Sequence, residues 1–455
     1  MNKRIVLVGA GSAQFGLGML GDIFSSSKLR ESELVLLDIN KETLNKVKEE
    51  ALVFLKKQKL DYSIRATTDR KEAFKGADFI IISIEVGDRF SLWEEDWKVP
   101  QQYGIKQVYG ENGGPGGLFH ALRIIPPILA ICGDAMEICP EAQIFCYSNP
   151  MTAITTTVHR AYPGIKFTGM CHEIASLERY IPDMLGKKYE DLDLIAGGLN
   201  HFSCLLEARD RKTGKDLYPE IMEKAFGFFS REPGYSDMLD HYKKSGELIN
   251  TEGSTSRSEL GIKDSAYDWA DRKLFRFIME NYGLLPITGD SHFGEYISWA
   301  WEVSDNRGIM DFFDFYKAML GIGNKHEITL DVNERFVPIA EGMIDDSGYL
   351  EAAVNIPNNG LIADLPDWIA VEVPGYVGKN GIEGRRLENV PKGYAALLRN
   401  YCGAYDLLAE AVLTGKKEYA IQSLLANPVV NRATPLKEMV NRMIDRQSPW
   451  LDYLK

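Results

Sequence analysis

Cysteine, histidine and glutamate stand side by side in the stretch Gly-Met-Cys-His-Glu-Ile at residues 169–174, and a second histidine follows at His201. Thiolate and imidazole both bind divalent first-row metals, and a cysteine beside a histidine can also act as a nucleophile or simply pack. Cys171 and His201 alone do not make a structural zinc site, which needs four ligands. The spacing leaves two interpretations: an open catalytic metal site completed by substrate or water, or a buried cysteine packed near a buried histidine.

A glycine-rich turn near the N-terminus predicts a dinucleotide site. The run Gly9-Ala10-Gly11-Ser12 lies between a strand-like and a helical stretch, where glycines let the backbone turn tightly beside a pyrophosphate at a helix N-terminus. Asp38 ends the next strand-like run, where a carboxylate can bond the adenosine ribose and repel a 2′-phosphate. This order favours NAD over NADP. The competing interpretation is a glycine-rich turn in some other α/β protein.

The elements that must hold these residues alternate between strand and helix in the first part of the chain. Four short apolar runs predict strands buried on both faces: 4–9, 34–38, 79–84 and 144–148. Helical stretches separate them, including 118–138, which Pro126 and Pro127 should bend. Strands that alternate with helices predict a parallel sheet with right-handed crossovers, and so an α/β fold.

After about residue 170 the pattern changes. Helical stretches dominate at 220–229, 269–282 and 393–413, and strand-like pieces such as 369–373 are fewer. We therefore predict a nucleotide-binding domain over residues 1–170 and a substrate- and metal-binding catalytic domain over residues 171–455. Because no flexible linker separates them, the two should pack closely.

The bulk composition disfavours some classes of function. The 455 residues carry a formal net charge of −13, which argues against nucleic acid as a partner because phosphate binding needs a basic surface. No apolar run approaches the roughly 18 residues of a membrane-spanning helix, and the N-terminus lacks a signal-peptide pattern. We expect a cytoplasmic protein with no membrane partner, whose six cysteines are reduced.

Longer stretches of the sequence resemble glycoside hydrolase family 4. They run nearly from end to end: VGAGSA at 8–13, YGENGGPGG at 109–117, CYSNPM at 146–151, GMCHE at 169–173, GLNHF at 198–202, LPITGDSHFGEY at 285–296 and PNNGLIADLPDWIAVEVPGYV at 357–377. The resemblance implies a Rossmann-type, doubly wound parallel sheet followed by a mainly helical α+β catalytic domain, as in lactate and malate dehydrogenases. It also implies a homodimer or homotetramer.

The resemblance implies roles for particular residues as well. Cys171 and His201 become the ligands of a divalent metal ion, usually manganese, and Asn149 contacts the substrate hydroxyls. The residues that hold NAD are those of the turn and the second strand: Gly9, Gly11, Ser12 and Asp38.

The residue after the cysteine indicates the class of sugar. Family members that act on 6-phosphosugars typically have Asp or Asn there, whereas this chain has His172 followed by Glu173. That difference implies an unphosphorylated α-glucoside, α-galactoside or α-galacturonide as the small-molecule substrate. The stretch GDSHFGEY and residues 370–413 are most similar to the α-galactosidase branch, so an α-galactoside is the first expectation.

The family mechanism is an elimination, and the resemblance implies it here. NAD oxidises C3 of the sugar, a base removes the C2 hydrogen while the metal stabilises the developing charge, the aglycone leaves C1, water adds, and NADH reduces C3 again. We assign Asp290 as the base at C2 and Glu111 as the acid that assists the aglycone, with Tyr267 as the alternative base. Acidic residues beside glycines also form turns, so a structural role competes for both carboxylates.

Four further residues are candidates for holding substrate: His172, His292, Glu295 and Arg89. His292 and Glu295 could instead form a local structural pair. Arg89 and Lys98 could hold an anionic C6 group, which makes an acidic sugar (a galacturonide or a sulfonated sugar) the alternative substrate, or they could pair with the acidic residues 94–96. The alternative functions are a plain NAD-dependent sugar or hydroxyacid dehydrogenase and an NAD-sensing regulator.

Overall fold

The computed structural model describes residues 3–249, 261–262, 264–321, 327–330, 332 and 334–455. Its first half contains parallel strands in the order β3-β2-β1-β4-β5-β6, the arrangement of a doubly wound sheet. The strands are β1 Arg4–Val8, β2 Glu33–Leu37, β3 Ser63–Thr67, β4 Phe79–Ile82, β5 Gln143–Cys146 and β6 Phe167–Gly169. The strands predicted at 4–9, 34–38, 79–84 and 144–148 are confirmed. The half-exposed run Ser-Ile-Arg-Ala-Thr of β3 lacks their apolar pattern, and the sequence did not predict it.

Helices cover both faces of the parallel strands. They are α1 Ala13–Ser25, α2 Lys41–Gln58, α3 Arg70–Phe74, α4 Arg89–Gln102, α5 Gly114–Ile138 and α6 Met151–Ala161. Alternate residues of β1 enter two separate cores, because successive side chains of a strand point to opposite faces. Val6 and Val8 pack with residues of α5 and α6, whereas Ile5 and Leu7 pack with residues of α1 and α2.

Helix α5 is the long apolar helix of the core. By length and composition alone it could cross a membrane, so the expectation that no stretch approaches that length is wrong. However, 72% of its most apolar window is buried inside the protein, and a core helix of this kind passes the same test. Pro126 and Pro127 lie inside it, and the helix continues through both.

The second half of the chain extends the same sheet with antiparallel strands. Beyond β6 the order is β10-β11-β7-β8-β9, with β12 paired to β11. These strands are β7 Leu192–Leu199, β8 Phe202–Asp210, β9 Leu285–Pro286, β10 Tyr349–Pro357, β11 Ala370–Gly378 and β12 Gly381–Gly384. The change from parallel to antiparallel pairing occurs at β6, next to the predicted boundary at residue 170. The division into two domains itself stays a prediction.

The remaining helices lie in the second half. They are α7 Ser176–Leu185, α8 Tyr218–Phe229, α9 Tyr235–Ser245, α10 Lys273–Tyr282, α11 Asp290–Phe293, α12 Ala300–Val303, α13 Asn306–Gly321, α14 Phe336–Asp345, α15 Lys392–Thr414, α16 Lys417–Ala426 and α17 Leu436–Arg446. The three helices predicted from the sequence correspond to α8, α10 and α15. Helix α15 packs against α5 and α6 of the first half, so the two halves share one core.

A buried ion pair on α4 and α5 forms hydrogen bonds with Gln447 and so connects the C-terminal residues to this core. Both side-chain oxygens of Asp96 accept hydrogen bonds from Arg123, at 3.0 and 2.7 Å, and the amide of Gln447 bonds both partners at 2.7 Å. Asp96 and Arg123 are only 1% and 4% exposed. Removing one partner of such a pair leaves an uncompensated buried charge.

We therefore predict that Asp96→Ala lowers the free energy of unfolding by about 3–5 kcal/mol. The measurement is a urea unfolding curve monitored by tryptophan fluorescence. Glu94→Ala on the same helix is the matched control, because Glu94 pairs with Lys98 at the surface and its loss should cost under about 1 kcal/mol. Equal losses in the two variants would contradict the prediction.

Candidate active site

The structure brings Cys171 and His201 together. Cys171 follows β6, and His201 occupies the two-residue turn between β7 and β8 with a φ of 62°. The Cys171 Sγ atom lies 3.4 Å from His201 Nε2. Two neighbouring ligands of one metal ion, each about 2.0–2.3 Å from it, stand about 3.1–3.4 Å apart. The spacing of the pair therefore fits a shared metal ion.

A buried glutamate on β11 fixes the turn that carries His201. The carboxylate of Glu372 accepts hydrogen bonds from Asn200 Nδ2 at 2.6 Å and from Ser203 Oγ at 2.8 Å. Asn355 on β10 donates a third, at 3.1 Å. Strands from the end of the chain thus set the position of the histidine.

Burial keeps the Cys171–His201 pair neutral when no metal ion is bound. It raises the pKa of the Cys171 thiol well above its usual value, and the nearby carboxylates of Glu372 and Glu173 add to this. Burial also lowers the pKa of His201 to about 4, with a contribution from the charge of His292. A neutral imidazole is the form that binds a metal, whereas the thiol must lose its proton to do so.

Glu111 and His292 form a second pair beside the first. His292 Nε2 lies 3.2 Å from Glu111 Oε2, and the His292 ring packs edge-on against the ring of His201, 4.6 Å between centroids. Arg89 donates a hydrogen bond of 2.8 Å to the other Glu111 oxygen. Burial disfavours the charged form of each group, but the hydrogen bond and the attraction between Glu111 and His292 outweigh it. As a result the pKa of Glu111 falls below its usual range and the pKa of His292 rises to about 9. The pair is therefore a carboxylate and an imidazolium.

Two acidic residues predicted to act on substrate are buried and bonded to backbone groups. Asp290 is fully buried, and its oxygens accept hydrogen bonds from the backbone N–H groups of Leu274, Phe275 and Asp305 at 2.7–3.0 Å. It caps the N-terminus of α10, a structural role that the geometry favours over its predicted role as the base at C2. Glu295 is 1% exposed and holds the loop before α5 by accepting from the N–H groups of Glu111 and Asn112. Its predicted role in substrate binding likewise stays a prediction.

A cleft lies beside the two pairs, and its empty space, open solvent included, is about 890 Å³. His292 is the member of the two pairs that lines it, together with other polar residues: Glu173, Ser176, Arg179, Tyr180, Tyr235, Asp271, Arg272, Thr288 and Ser291. His172, predicted to contact substrate, does not line it: its side chain is 68% exposed and lies 4.0 Å from Glu334. Of the two residues that follow Cys171, Glu173 lines the cleft, and the predicted substrate contact of His172 stays a prediction.

The structure also shows the hydrogen-bond and ion-pair surroundings of the other candidates, Asn149, Arg89, Lys98 and Tyr267. Asn149 has a buried Oδ1 atom with no hydrogen-bond partner in the described part of the chain, as expected of a group that awaits a substrate hydroxyl. Arg89 is engaged by Glu111, and Lys98 pairs with Glu94, so these two cations do not form a joint anion site. Tyr267 donates a hydrogen bond to Asp240 and is absent from the residues that line the cleft.

The predicted nucleotide turn is preorganised by Asp38. Gly9 has a φ of 87°, and a Cβ atom there would lie 1.9 Å from the carbonyl oxygen of Ser83. The Gly11 N–H donates a hydrogen bond of 2.8 Å to Asp38 Oδ2, and Ser12 caps α1 by accepting from the N–H of Phe15. Ile39 next to Asp38 is fully exposed. The turn thus presents a helix N-terminus, a carboxylate and an apolar side chain on one surface, which suits a dinucleotide.

Comparisons with known proteins cover the whole chain. The model described as "Family 4 glycosyl hydrolase" matches residues 4–187, and the model of that family's C-terminal domain matches residues 196–430. An α-glucosidase of Erwinia rhapontici is 57% identical over 455 residues, which are 100% of both chains.

Two solved structures share the predicted fold. A 6-phospho-α-glucosidase from gut microorganisms, in complex with NAD and Mn²⁺, has a TM-score of 0.77 at 23% identity over 100% of both chains. A malate dehydrogenase of Cryptosporidium parvum has a TM-score of 0.51 at 16% identity, over 91% of this chain and 100% of that one. The predicted dehydrogenase-like α/β fold is confirmed.

Proposed function

Because the chain belongs to family 4 of the glycosyl hydrolases, we propose that it hydrolyses unphosphorylated α-glucosides with NAD and a divalent metal ion as cofactors. The observation that carries this proposal is the pair of Cys171 Sγ and His201 Nε2, 3.4 Å apart and packed against His292, which lines the cleft. The 57% identity with an α-glucosidase over the full length favours a glucoside over the galactoside expected from the sequence alone.

Cys171 and His201 would hold the metal ion, with Mn²⁺ as the proposed ion, and the turn at Gly9 to Ser12 would hold the NAD pyrophosphate. When bound, NAD accepts and returns a hydride while the metal ion acts as a Lewis acid toward the sugar oxygens. Asp38 would bond the ribose hydroxyls, and Ile39 offers its exposed side chain to the adenine. Asn149 would bond a sugar hydroxyl through the Oδ1 atom that lacks a partner in the described part of the chain.

Proton transfer to the leaving oxygen falls to the Glu111–His292 pair in this proposal. The pair lies against His201, and the proton resides on His292, which lines the cleft. Glu111 then acts by keeping His292 charged and oriented, not as the acid itself. Tyr267 stays the proposed base at C2, and in this structure its hydroxyl bonds Asp240.

Asp38 should determine the choice of dinucleotide. We predict that Asp38→Asn weakens NAD binding about 10- to 150-fold, because one charge-assisted hydrogen bond of about 1.5–3 kcal/mol is lost and the amide cannot accept from the N–H groups of both Gly11 and Asn40. Repulsion of the 2′-phosphate disappears too, so the preference for NAD over NADP should shrink. The measurement is isothermal titration with both nucleotides. Asp69→Asn, the same substitution at the N-cap of α3, is the control and should leave both affinities unchanged.

A specific observation favours an acidic sugar as second candidate. Arg179 lines the cleft, and its buried Nε atom has no hydrogen-bond partner in the described part of the chain. A guanidinium in that state suits a carboxylate, and so an α-galacturonide.

The test is p-nitrophenol release from the α-glucoside, α-galactoside and α-galacturonide with NAD, Mn²⁺ and a thiol reductant present, each omitted in turn. We expect the α-glucoside to react fastest, no release without NAD or metal, and no net NADH. NADH that accumulates in proportion to substrate, with no p-nitrophenol, would identify a dehydrogenase instead.

The further expectations of a homodimer or homotetramer and of a cytoplasmic location stay predictions.

A further inference from the structure

We propose that Glu173 supplies a third protein ligand, an oxygen donor, to the metal site of Cys171 and His201. The inference rests on the proposed function, because it presupposes that these two residues bind a metal ion. It concerns a residue that the sequence alone leaves without a role.

The geometry points to Glu173 because both it and Cys171 lie near the same nitrogen atom of His201. His201 Nε2 faces Cys171 Sγ at 3.4 Å and Glu173 Oε1 at 4.0 Å. A metal ion bound to a histidine lies on the lone pair of the ligating nitrogen. Because Glu173 also acts electrostatically on the Cys171 thiol, it lies near both ligands, and we infer that an ion shared by them is within reach of its carboxylate. Since neighbouring ligands stand about 3 Å apart, Glu173 has about 1 Å to move.

The carboxylate is able to make that movement. Glu173 begins the short 3₁₀ turn Glu173–Ala175, only two residues after Cys171, and its side chain is 25% exposed to the cleft. No residue that the structure describes donates a hydrogen bond to its oxygens, and the neutral ring of His201 has its Nε2 atom 4.0 Å from Oε1. The other carboxylates nearby, Glu111 and Glu372, are each held by side-chain donors.

The chemistry of the ion requires such a donor. Thiolate and imidazole on their own suit zinc and the softer first-row ions, whereas manganese prefers carboxylate, carbonyl and water oxygens. A carboxylate beside the thiolate shifts the preference toward Mn²⁺. Two anionic ligands also balance the charge of a divalent ion in a buried site. Three positions of an octahedral ion then remain for sugar oxygens and water.

The adjacent His172 provides the matched control. It differs from Glu173 by one position, but it is 68% exposed and lies near Glu334, outside the cleft lining. It should therefore not contribute to binding of the ion.

The experiment is a Mn²⁺ titration of the reduced, NAD-bound enzyme without sugar, with free Mn²⁺ measured by electron paramagnetic resonance. We expect Glu173→Gln and Glu173→Ala to raise the Kd for Mn²⁺ about 10- to 100-fold, a size typical when a supporting group of a metal site is lost. His172→Gln should stay within about twofold of the wild type. In parallel Zn²⁺ titrations the two Glu173 variants should lose less affinity than they lose for Mn²⁺.

Two outcomes separate this inference from the function on which it rests. If Cys171→Ala abolishes Mn²⁺ binding but both Glu173 variants bind within twofold of the wild type, the third-ligand inference is overturned and the proposed function stands. If Cys171→Ala binds Mn²⁺ normally, the metal site itself is misassigned. Unchanged NAD affinity and circular dichroism show that each variant is folded.

Discussion

The Cys171→Ala variant should turn over an α-glucoside at least about a thousandfold more slowly than the wild type and should no longer bind Mn²⁺. In the proposed metal site the Cys171 sulfur lies 3.4 Å from His201 Nε2, and an alanine there offers no donor. Lewis-acid stabilisation of the transition state is worth several kcal/mol, and a loss of about 1.4 kcal/mol already slows a reaction tenfold. The measurements are kcat with p-nitrophenyl α-glucoside and Mn²⁺ affinity.

Cys139→Ala is the control for this prediction. Cys139 is the C-cap residue of α5 and packs in the apolar core, so its loss should leave turnover and metal affinity within about twofold. Full activity of Cys171→Ala after chelation of all divalent metal would contradict the assignment of the site.

Replacing Glu111 with glutamine should lower kcat by about 100- to 10,000-fold, the range typical of general acid–base catalysis. Glu111 holds the proton on His292 through their 3.2 Å contact, and its carboxylate is itself oriented by Arg89. An amide keeps the size of the side chain but removes the charge that stabilises the imidazolium. Glu141→Gln, at an exposed pair with Lys166, is the control and should leave kcat unchanged.

An NMR titration of His292 in the metal-free enzyme tests the cause of this effect. Because the contact with Glu111 raises the pKa of His292 to about 9, the imidazolium persists below that pH and is lost above it. In Glu111→Gln the proton should leave at a clearly lower pH. A His292 titration that is the same in both proteins would show that the two side chains are not coupled.

Much of the parallel half of the fold was predictable because its strands are short, nearly continuous apolar runs. Residues 4–8, 33–37 and 79–82 are mostly apolar, as strands buried on both faces must be, and the glycine turn follows the first of them. The antiparallel half was harder to predict. Strand β7 contains two consecutive glycines, and one of them, Gly198, pairs with Glu372 on β11, far along the chain. Local composition gave little indication of that pairing.

At the candidate site the sequence predicted which residue types come together but not how each is used. Cys171 and His201 approach one another because Gly169 on β6 and Gly198 on β7 lie in register across β10 and β11, although β6 and β7 run in opposite directions. The role of a carboxylate depends on its hydrogen-bond partners, and for Asp290 these are backbone groups of residues 274, 275 and 305. Which of His172 and Glu173 faces the cleft depends on the course of the chain after β6. Neither the hydrogen-bond partners of Asp290 nor the direction in which Glu173 faces follows from composition or spacing.

The order of strands in the sheet has a consequence for the newly made chain. Cys171 and His201 are near one another in the sequence, yet β10 and β11, which are made much later, lie between the strands that carry them. Glu372, which fixes the turn at His201, belongs to this late segment. Before the ribosome has made β10 and β11, Cys171 and His201 have been synthesised, but the strands and the Glu372 carboxylate that position them have not. If Cys171 and His201 hold the metal ion as proposed, loading has to wait until β11 is made, and until then the Cys171 thiol depends on the reducing power of its surroundings.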